Sequence, residues 1–322
     1  MSADFRPWTA RAPRPEDIPD WAGLIARIAE QERQNWYEKA EDLEAFFAQQ
    51  DPSDAVLVLD DDGVPRAHGR VTAWKEHAVV RTEGGVDAAW QRRGVGRRLL
   101  RWQQERAARI GAGKGYGAVA VRAQHDERIA SPGRLFASEG FEIVRWFNEM
   151  HRPLGPGLPE TVVGAGYELL PWTPEFDEEA RLLHNAAFAA HWGSEPRNQE
   201  SWAFRVGNPE VRRDWSLVLR ERAGGAMVAY HLASHDPEIK RMHGRSEGYT
   251  ELLGVHPDHR GRGLATALLG EAVRRFAASG MDTAALDVDS GNSTGALALY
   301  EGLDYRVVNR APVWEKLVQL NP

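Results

Sequence analysis

The chain contains no cysteine in its 322 residues. That absence removes disulfides, thiolate metal sites and cysteine nucleophiles at once. Also missing is any uninterrupted apolar run of membrane-spanning length. The opening MSADFRPWTARAPRPED puts Asp, Arg and Pro where a secretory segment needs apolar residues. A cytoplasmic protein with no membrane partner is the default expectation. Excess positive charge is lacking too. The net charge of −7 argues against a general nucleic-acid binder, although Arg92, Arg93, Arg97, Arg98 and Arg101 form a local basic patch able to hold a polyanion. There is no nucleophile elbow, and no glycine loop has the third glycine of a dinucleotide fingerprint, so hydrolase and Rossmann readings fail. His231 and His235 lie in a segment read as a strand, without a third ligand, and no metal site is expected.

What the chain does contain is one stretch used twice. Val255 to Phe276 reads as the end of a strand, a tight loop with Gly261 and Gly263, and a helix carrying Leu268, Leu269, Val273 and Phe276 at helical spacing. A helix begun at a glycine turn presents unpaired N–H groups and its positive dipole end, and Arg260 and Arg262 add charge to the same spot. Such a place binds anions, phosphates above all. The second copy is Gln91-Arg92-Arg93-Gly94-Val95-Gly96, which follows an apolar segment and precedes a helix with Leu99 and Leu100.

Other landmarks repeat in the same order. Pro7-Trp8-Thr9 returns as Pro171-Trp172-Thr173, and Phe136 and Phe141 return as Tyr300 and Tyr305, all at an offset of 164; Gly94 matches Gly263 at 169. One order with nearly one offset implies a duplicated fold. The Pro- and Gly-rich stretch PLGPGLPETVVGAG has no amphipathic period, which sets the expected organisation: a domain at 1–152, a linker at 153–165 and a domain at 166–322. Composition, 42% hydrophobic and 27% charged, suits two globular domains of ordinary size. The string Gly111-Ala112-Gly113-Lys114-Gly115 fails the Walker spacing and lacks a Ser or Thr after Lys, so it is read as a helix-ending turn.

In each half the pattern runs helices, antiparallel strands, strand–loop–helix, strand, helix, strand. The fold class is therefore α/β (α+β), each domain a mixed, mostly antiparallel sheet flanked by helices. The loop Arg260-x-x-Gly263-x-Ala265 resembles the acyl-CoA pyrophosphate loop of the GNAT superfamily of N-acetyltransferases, Gln/Arg-x-x-Gly-x-Gly/Ala, and Gln91 to Gly96 fits the same pattern. Both halves look like GNAT domains, a pairing of the tandem kind exemplified by mycothiol synthase. The resemblance implies acetyl-CoA as cofactor, with Arg260, Gly261, Arg262, Gly263, Leu264 and Ala265 gripping its pyrophosphate. It also implies a splayed strand whose backbone at Leu253 and Val255 pairs with the pantetheine arm, an Asn at Asn292 on that arm, and a Tyr at Tyr300 beside the sulfur. One departure is Asp304, where the family usually has Gly before the closing aromatic.

Moving an acetyl group from a thioester to an amine requires deprotonating the amine, holding an oxyanion and reprotonating a thiolate. A Tyr300 phenol can reprotonate the thiolate; the alternative is a core tyrosine among Leu297 and Leu299. Strand alternation puts Glu251 on one face with Leu253 and Val255, as a general base acting directly or through water, or as one half of a rim salt bridge. Residue-by-residue overlay gives Thr82, Arg128 and Phe136 in the first half for Glu251, Asn292 and Tyr300 in the second. The expectation is a catalytic C-terminal domain and an N-terminal domain that is structural, regulatory or a non-productive CoA binder. His256 and His259 flank the loop and are read as solvated or near phosphate. His191 and Trp192 open an aromatic segment that lies where this family lines its acceptor pocket. The function expected is transfer of acetyl to a primary amine of a small molecule in a ternary complex; the alternatives are a protein-directed acetyltransferase and a non-catalytic acyl-CoA sensor.

Overall fold

A computed structural model describes residues 5–34, 37–74, 77–291 and 295–320. In chain order the elements are β1 (Thr9–Arg11), α1 (Ile18–Glu32), α2 (Ala40–Gln49), β2 (Ala55–Leu59), β3 (Pro65–Ala73), β4 (Val79–Val86), α3 (Val95–Gly113), β5 (Ala118–Gln124), α4 (Ala130–Ser138) and β6 (Glu142–Pro153). Then follow β7 (Tyr167–Pro171), α5 (Asp177–Phe188), α6 (Gln199–Val206), β8 (Leu217–Glu221), β9 (Met227–Ser234), α7 (Glu238–His243), β10 (Glu247–Val255), α8 (Leu264–Ala278), β11 (Thr283–Asp289), α9 (Ala296–Gly302) and β12 (Arg306–Gln319). Among the described residues no helix is long and apolar enough to cross a membrane.

Contacts divide the chain into two compact units, 1–146 with 311–322, and 147–310. The reading from sequence cuts at 153–165; the pairing of strands cuts elsewhere. Phe147 to Pro153 of β6 lie antiparallel to β11, from Asp289 to Thr283, in the second unit. Val313 to Gln319 of β12 lie antiparallel to β5, from Gln124 to Ala118, in the first. Each unit is thus completed by a strand from beyond the break, and the Pro/Gly-rich stretch falls inside the second unit.

In the first unit the strands run β1-β2-β3-β4-β5-β12, in the second β7-β8-β9-β10-β11-β6, all neighbours antiparallel except β4–β5 and β10–β11. Apolar residues cover both faces of each sheet. In the second unit Leu264, Leu268, Leu269, Val273 and Phe276 of α8 pack on Leu217, Leu219, Ala284, Leu286 and Val288. On the other face Leu183 of α5 and Trp202 of α6 pack with Val218, Tyr230 and Leu232. In the first unit α3 supplies Leu100 and Ala107 to one cluster, and α1 and α2 supply Trp21, Ile25, Leu43 and Phe46 to another. The spacing of Trp21, Leu24, Ile25 and Ile28, all buried, is the amphipathic period that makes α1 a surface helix. Residues 111–115 end α3, with Lys114 at its C-terminus, as the spacing of that glycine string predicts.

The parallel pairs are short, and this positions the site. β10 and β11 pair only over Glu247–Thr250 and Thr283–Leu286, and β4 and β5 only over Val79–Thr82 and Ala120–Ala123. Beyond those pairs the strands part. Leu252 to Val255 stay bonded to β9 on one edge and are open on the other.

Candidate active site

The loop after β10 has the geometry expected of an anion grip. Gly261 (φ 72°) and Gly263 (φ 74°) take left-handed conformations that suit glycine, and Gly263 is the N-cap of α8. A Cβ at either glycine would meet nothing within 4 Å, so the space above the loop is open. No side chain caps α8, and its first turn has no acidic residue, so the leading N–H groups at Leu264 and Ala265 face that space without an intrahelical acceptor. Two side chains fix the loop from outside: Arg260 Nη2 donates to the Ala187 carbonyl at 2.7 Å, and Arg262 Nη1 to the Tyr167 hydroxyl at 2.8 Å. His259 Nδ1 lies 3.2 Å from the same hydroxyl, and His256 Nδ1 accepts from the Asp258 N–H at 3.3 Å. Both histidines therefore serve the loop's shape.

Leu253 and Val255 pack on the α8 face, in the cluster that holds Leu264 and Tyr300. Tyr300, on α9, is 8% exposed, and burial raises its phenol to about 12. It therefore keeps its proton at neutral pH and can give it to a stronger base, such as a thiolate. Asn292 lies outside the described residues. The Asp304 position, doubtful from sequence, takes the left-handed turn itself (φ 63°), as Gly140 does in the first unit (φ 78°). Asp tolerates that conformation better than most side chains, so the turn is kept without glycine.

Glu251 does not share a face with Leu253 and Val255. Pairing with β9 shifts between Thr250, opposite Ala233, and Leu252, opposite Leu232, so Glu251 is the extra residue of a β-bulge. The bulge flips the alternation. Before it, a Cβ at Gly248 would strike Phe276 of α8; after it, a Cβ at Gly254 would strike Tyr230 on the opposite face. The Glu251 side chain leaves on the α5/α6 side, where Arg205 of α6 is ion-paired with it at 3.3 Å and Ser234 Oγ donates to it at 2.8 Å. The salt bridge allowed for from the sequence is present. The carboxylate is still part-exposed, on the side of the strand away from Tyr300.

That bulge also corrects the overlay of the two halves. Measured from the last parallel pair, Thr82 matches Thr250, and Glu83 matches Glu251. β4 has no bulge against β3, so the offset changes by one within this strand. The first unit thus keeps a carboxylate where Thr82 was expected to stand. It is engaged differently: Arg70 bonds Glu83 and also lies 2.7 Å from Glu38, and Gln103 Nε2 occupies the Glu83 carbonyl at 2.6 Å. Burial pushes the Glu83 carboxyl up, but Arg70 and then Arg81 bring it below its ordinary value. Phe136 stands among the rings of His125, Phe141 and Trp314. The loop Gln91 to Gly96 has the same helix start, with Gly94 (φ 87°) as N-cap ahead of Val95 and open space above it. Arg92 is itself left-handed (φ 60°), and Arg93 lies over the Trp90 ring at 5.3 Å.

His191 and Trp192 follow α5, with His191 Nδ1 3.0 Å from the Trp192 carbonyl and its ring 5.4 Å from Phe188. Deeper on that side His184 Nδ1 meets the Tyr230 hydroxyl at 2.6 Å and stacks on Phe188. Burial, then Arg197 and Arg205, lower the His184 imidazole to about 4, so it is neutral at physiological pH. His184, Arg197 and Arg205 escaped the sequence reading, because spacing along one helix does not show what a second helix brings over it. His231 donates to or accepts from Thr250 Oγ1 at 3.0 Å inside the core.

The model of the acetyltransferase (GNAT) family matches residues 178–305. Mycothiol acetyltransferase of Clavibacter michiganensis is 30% identical over 311 residues, covering 93% of each chain. That of Thermobispora bispora is 32% identical over 225 residues, 68% of this chain and 70% of its own. Among solved structures, a GCN5-related N-acetyltransferase from Sphaerobacter thermophilus is 25% identical with a TM-score of 0.73, covering 98% of this chain and 97% of that one. A tandem GNAT protein from the clavulanic acid biosynthesis pathway is 19% identical with a TM-score of 0.71, covering 98% and 99%.

Proposed function

Because the chain belongs to the GNAT family of N-acetyltransferases, we propose that its second unit moves an acetyl group from acetyl-CoA to a primary amine of a small molecule, by direct attack in a ternary complex. The observation that carries this reading is the opening between β10 and β11, with the α8 loop and Tyr300 on one face of β10 and Glu251 on the other. The open edge of β10 at Leu253 and Val255 suits an extended pantetheine arm, and the uncapped α8 start suits a pyrophosphate. The residues present therefore fit acetyl-CoA, which supplies the activated acyl group when bound.

Each side chain then has one task. Tyr300 holds the proton that the departing thiolate takes. Glu251 is the carboxylate on the amine's side, meeting the amine directly or through water. The first unit, with Phe136 and a Glu83 locked to Arg70, is structural or holds CoA without turnover. The likeness to mycothiol acetyltransferases makes their acceptor one candidate amine. His191 and Trp192 remain candidates for the acceptor side.

The test is thiol release from acetyl-CoA against an amine library. Turnover that is lost or strongly reduced in Tyr300→Phe supports the assignment; turnover unchanged by it removes Tyr300 from the mechanism. Tight CoA binding with no turnover on any amine favours a sensor instead.

A further inference from the structure

The divergence of β10 and β11 sets two side chains in equivalent places. Thr250 and Leu286 are the last parallel pair. The next residue on β10 is Glu251; the next on β11 is Asp287. Ala284, Leu286 and Val288 of β11 belong to the α8-side core, so Asp287, between the last two, points to the opposite face, where Glu251 also points. Two carboxylates therefore flank the mouth of the opening on the side away from Tyr300.

They are held differently. Glu251 carries Arg205 and Ser234. Among the described residues no cation is paired with Asp287. The residue reaches solvent on one side, while its carboxyl is crowded by Tyr249, which hydrogen-bonds it, and by Glu149, its cross-strand partner on β6. The other groups facing it are His151 on β6 and Glu247 on β10. His151 Nε2 lies 2.7 Å from Glu149, and Arg245 is shared between Glu247 at 3.1 Å and Glu149 at 3.9 Å. The His151 ring and the Arg245 guanidinium are thus engaged by other carboxylates. In the first unit the residue after the last parallel pair on β5 is Gln124, so the flanking pair there has one carboxylate.

Resting on the acetyl-transfer reading, we propose that Asp287 is a catalytic residue that takes the proton of the acceptor ammonium, while Glu251, tied to Arg205, holds that ammonium by its charge. R–NH3+ gives one proton to the Asp287 carboxylate. The freed lone pair forms the C–N bond at the thioester carbonyl, and the C–S bond breaks. The thiolate takes the Tyr300 proton, the second nitrogen proton restores the phenol through solvent, and Asp287 releases its proton to water. Crowding by protein atoms and then Glu149 raise the Asp287 carboxyl to about 6, which keeps it ionised at neutral pH yet closer to an amine than an ordinary carboxylate is.

The experiment compares wild type, Asp287→Asn, Asp287→Glu and Glu251→Gln by thiol release across pH 5–9 with a turned-over amine, and follows carboxyl 13C signals in wild type and Asp287→Asn. Expected are a wild-type kcat/KM that falls about tenfold per unit below pH 6, and an Asp287→Asn variant at least about 100-fold slower at pH 7.5 without that acidic limb. Glu251→Gln should keep the limb, Asp287→Glu should restore part of the rate, and a carboxyl signal titrating near pH 6 should vanish in Asp287→Asn. An acidic limb that survives Asp287→Asn, or wild-type enzyme with neither limb nor titrating carboxyl, overturns the inference and leaves acetyl transfer standing. Absence of wild-type turnover on every amine overturns the acetyl-transfer reading, and the inference with it.

Discussion

Replacing Gly263 by Ala, beside the same change at Gly94, separates the two loops by a matched perturbation. Both glycines are N-caps in the left-handed region, at φ 74° and 87°, and a Cβ at either meets no heavy atom within 4 Å. Neither variant creates a clash, so the structural cost is the conformational one, about 1–2 kcal/mol for a non-glycine residue held left-handed. In units of this size that lowers the melting temperature by about 2–8 °C. The consequence for CoA should differ. If the α8 amides bind pyrophosphate, rotating the loop off its φ misaligns at least one hydrogen bond to a charged group, worth about 1.5–3 kcal/mol. That is roughly 10- to 150-fold in affinity. Calorimetric titration of CoA and thermal melts on both variants give the two numbers. Gly94→Ala and Gly263→Ala should melt alike, and only Gly263→Ala should lose acetyl transfer. Activity abolished by Gly94→Ala and spared by Gly263→Ala would refute the assignment of the catalytic unit.

Tyr300→Phe should reduce kcat by about 100-fold or more with little change in melting, and a rate within twofold of wild type argues that another group protonates the thiolate. Gly248→Ala drives a Cβ to 2.3 Å from the Phe276 ring, which should cost about 1–3 kcal/mol in urea unfolding; an unchanged midpoint would show that α8 yields freely. Asp304→Gly relieves a left-handed non-glycine residue and should stabilise by about 0.5–1 kcal/mol, read from the same urea curves. His231 is buried and lowered to about 3, so its unfolded form binds a proton below about 6.5 that the folded form refuses. The stability it contributes is complete above pH 6.5 and is lost as pH falls toward 3. At pH 5 the wild type should therefore have lost about 2 kcal/mol relative to a His231→Gln variant, compared with their difference at pH 7; an equal difference at both pH values would contradict a neutral buried imidazole.

The duplicated loop was legible because it is local: an anion grip needs glycines, a helix start and no acidic first turn, and all of these are consecutive residues. The helix that carries Tyr300 was legible for the same reason, as one segment with its own turn. The exchange of β6 and β12 between units was hidden, because a strand that completes one sheet looks in sequence like a strand that completes another. The bulge at Glu251 was hidden more deeply. Period-two reasoning assumes an unbroken ladder, and one extra residue reverses every later side chain while leaving the composition of the strand unchanged. Its effect is to put Leu253 and Val255 toward α8 and Glu251 toward Arg205, so that one strand serves both faces. The same insertion explains why an overlay on the loop glycines pairs Glu251 with Thr82 although the last parallel pairs match it with Glu83. Because Leu252 already faces the α5/α6 side and lies opposite Leu232, deleting Glu251 should restore an unbroken ladder with Leu253 and Val255 still toward α8. Such a deletion should lose turnover at least as completely as Glu251→Gln, while CoA affinity, read by calorimetric titration, is kept. A deletion whose CoA affinity falls well below that of Glu251→Gln would refute this account of the register.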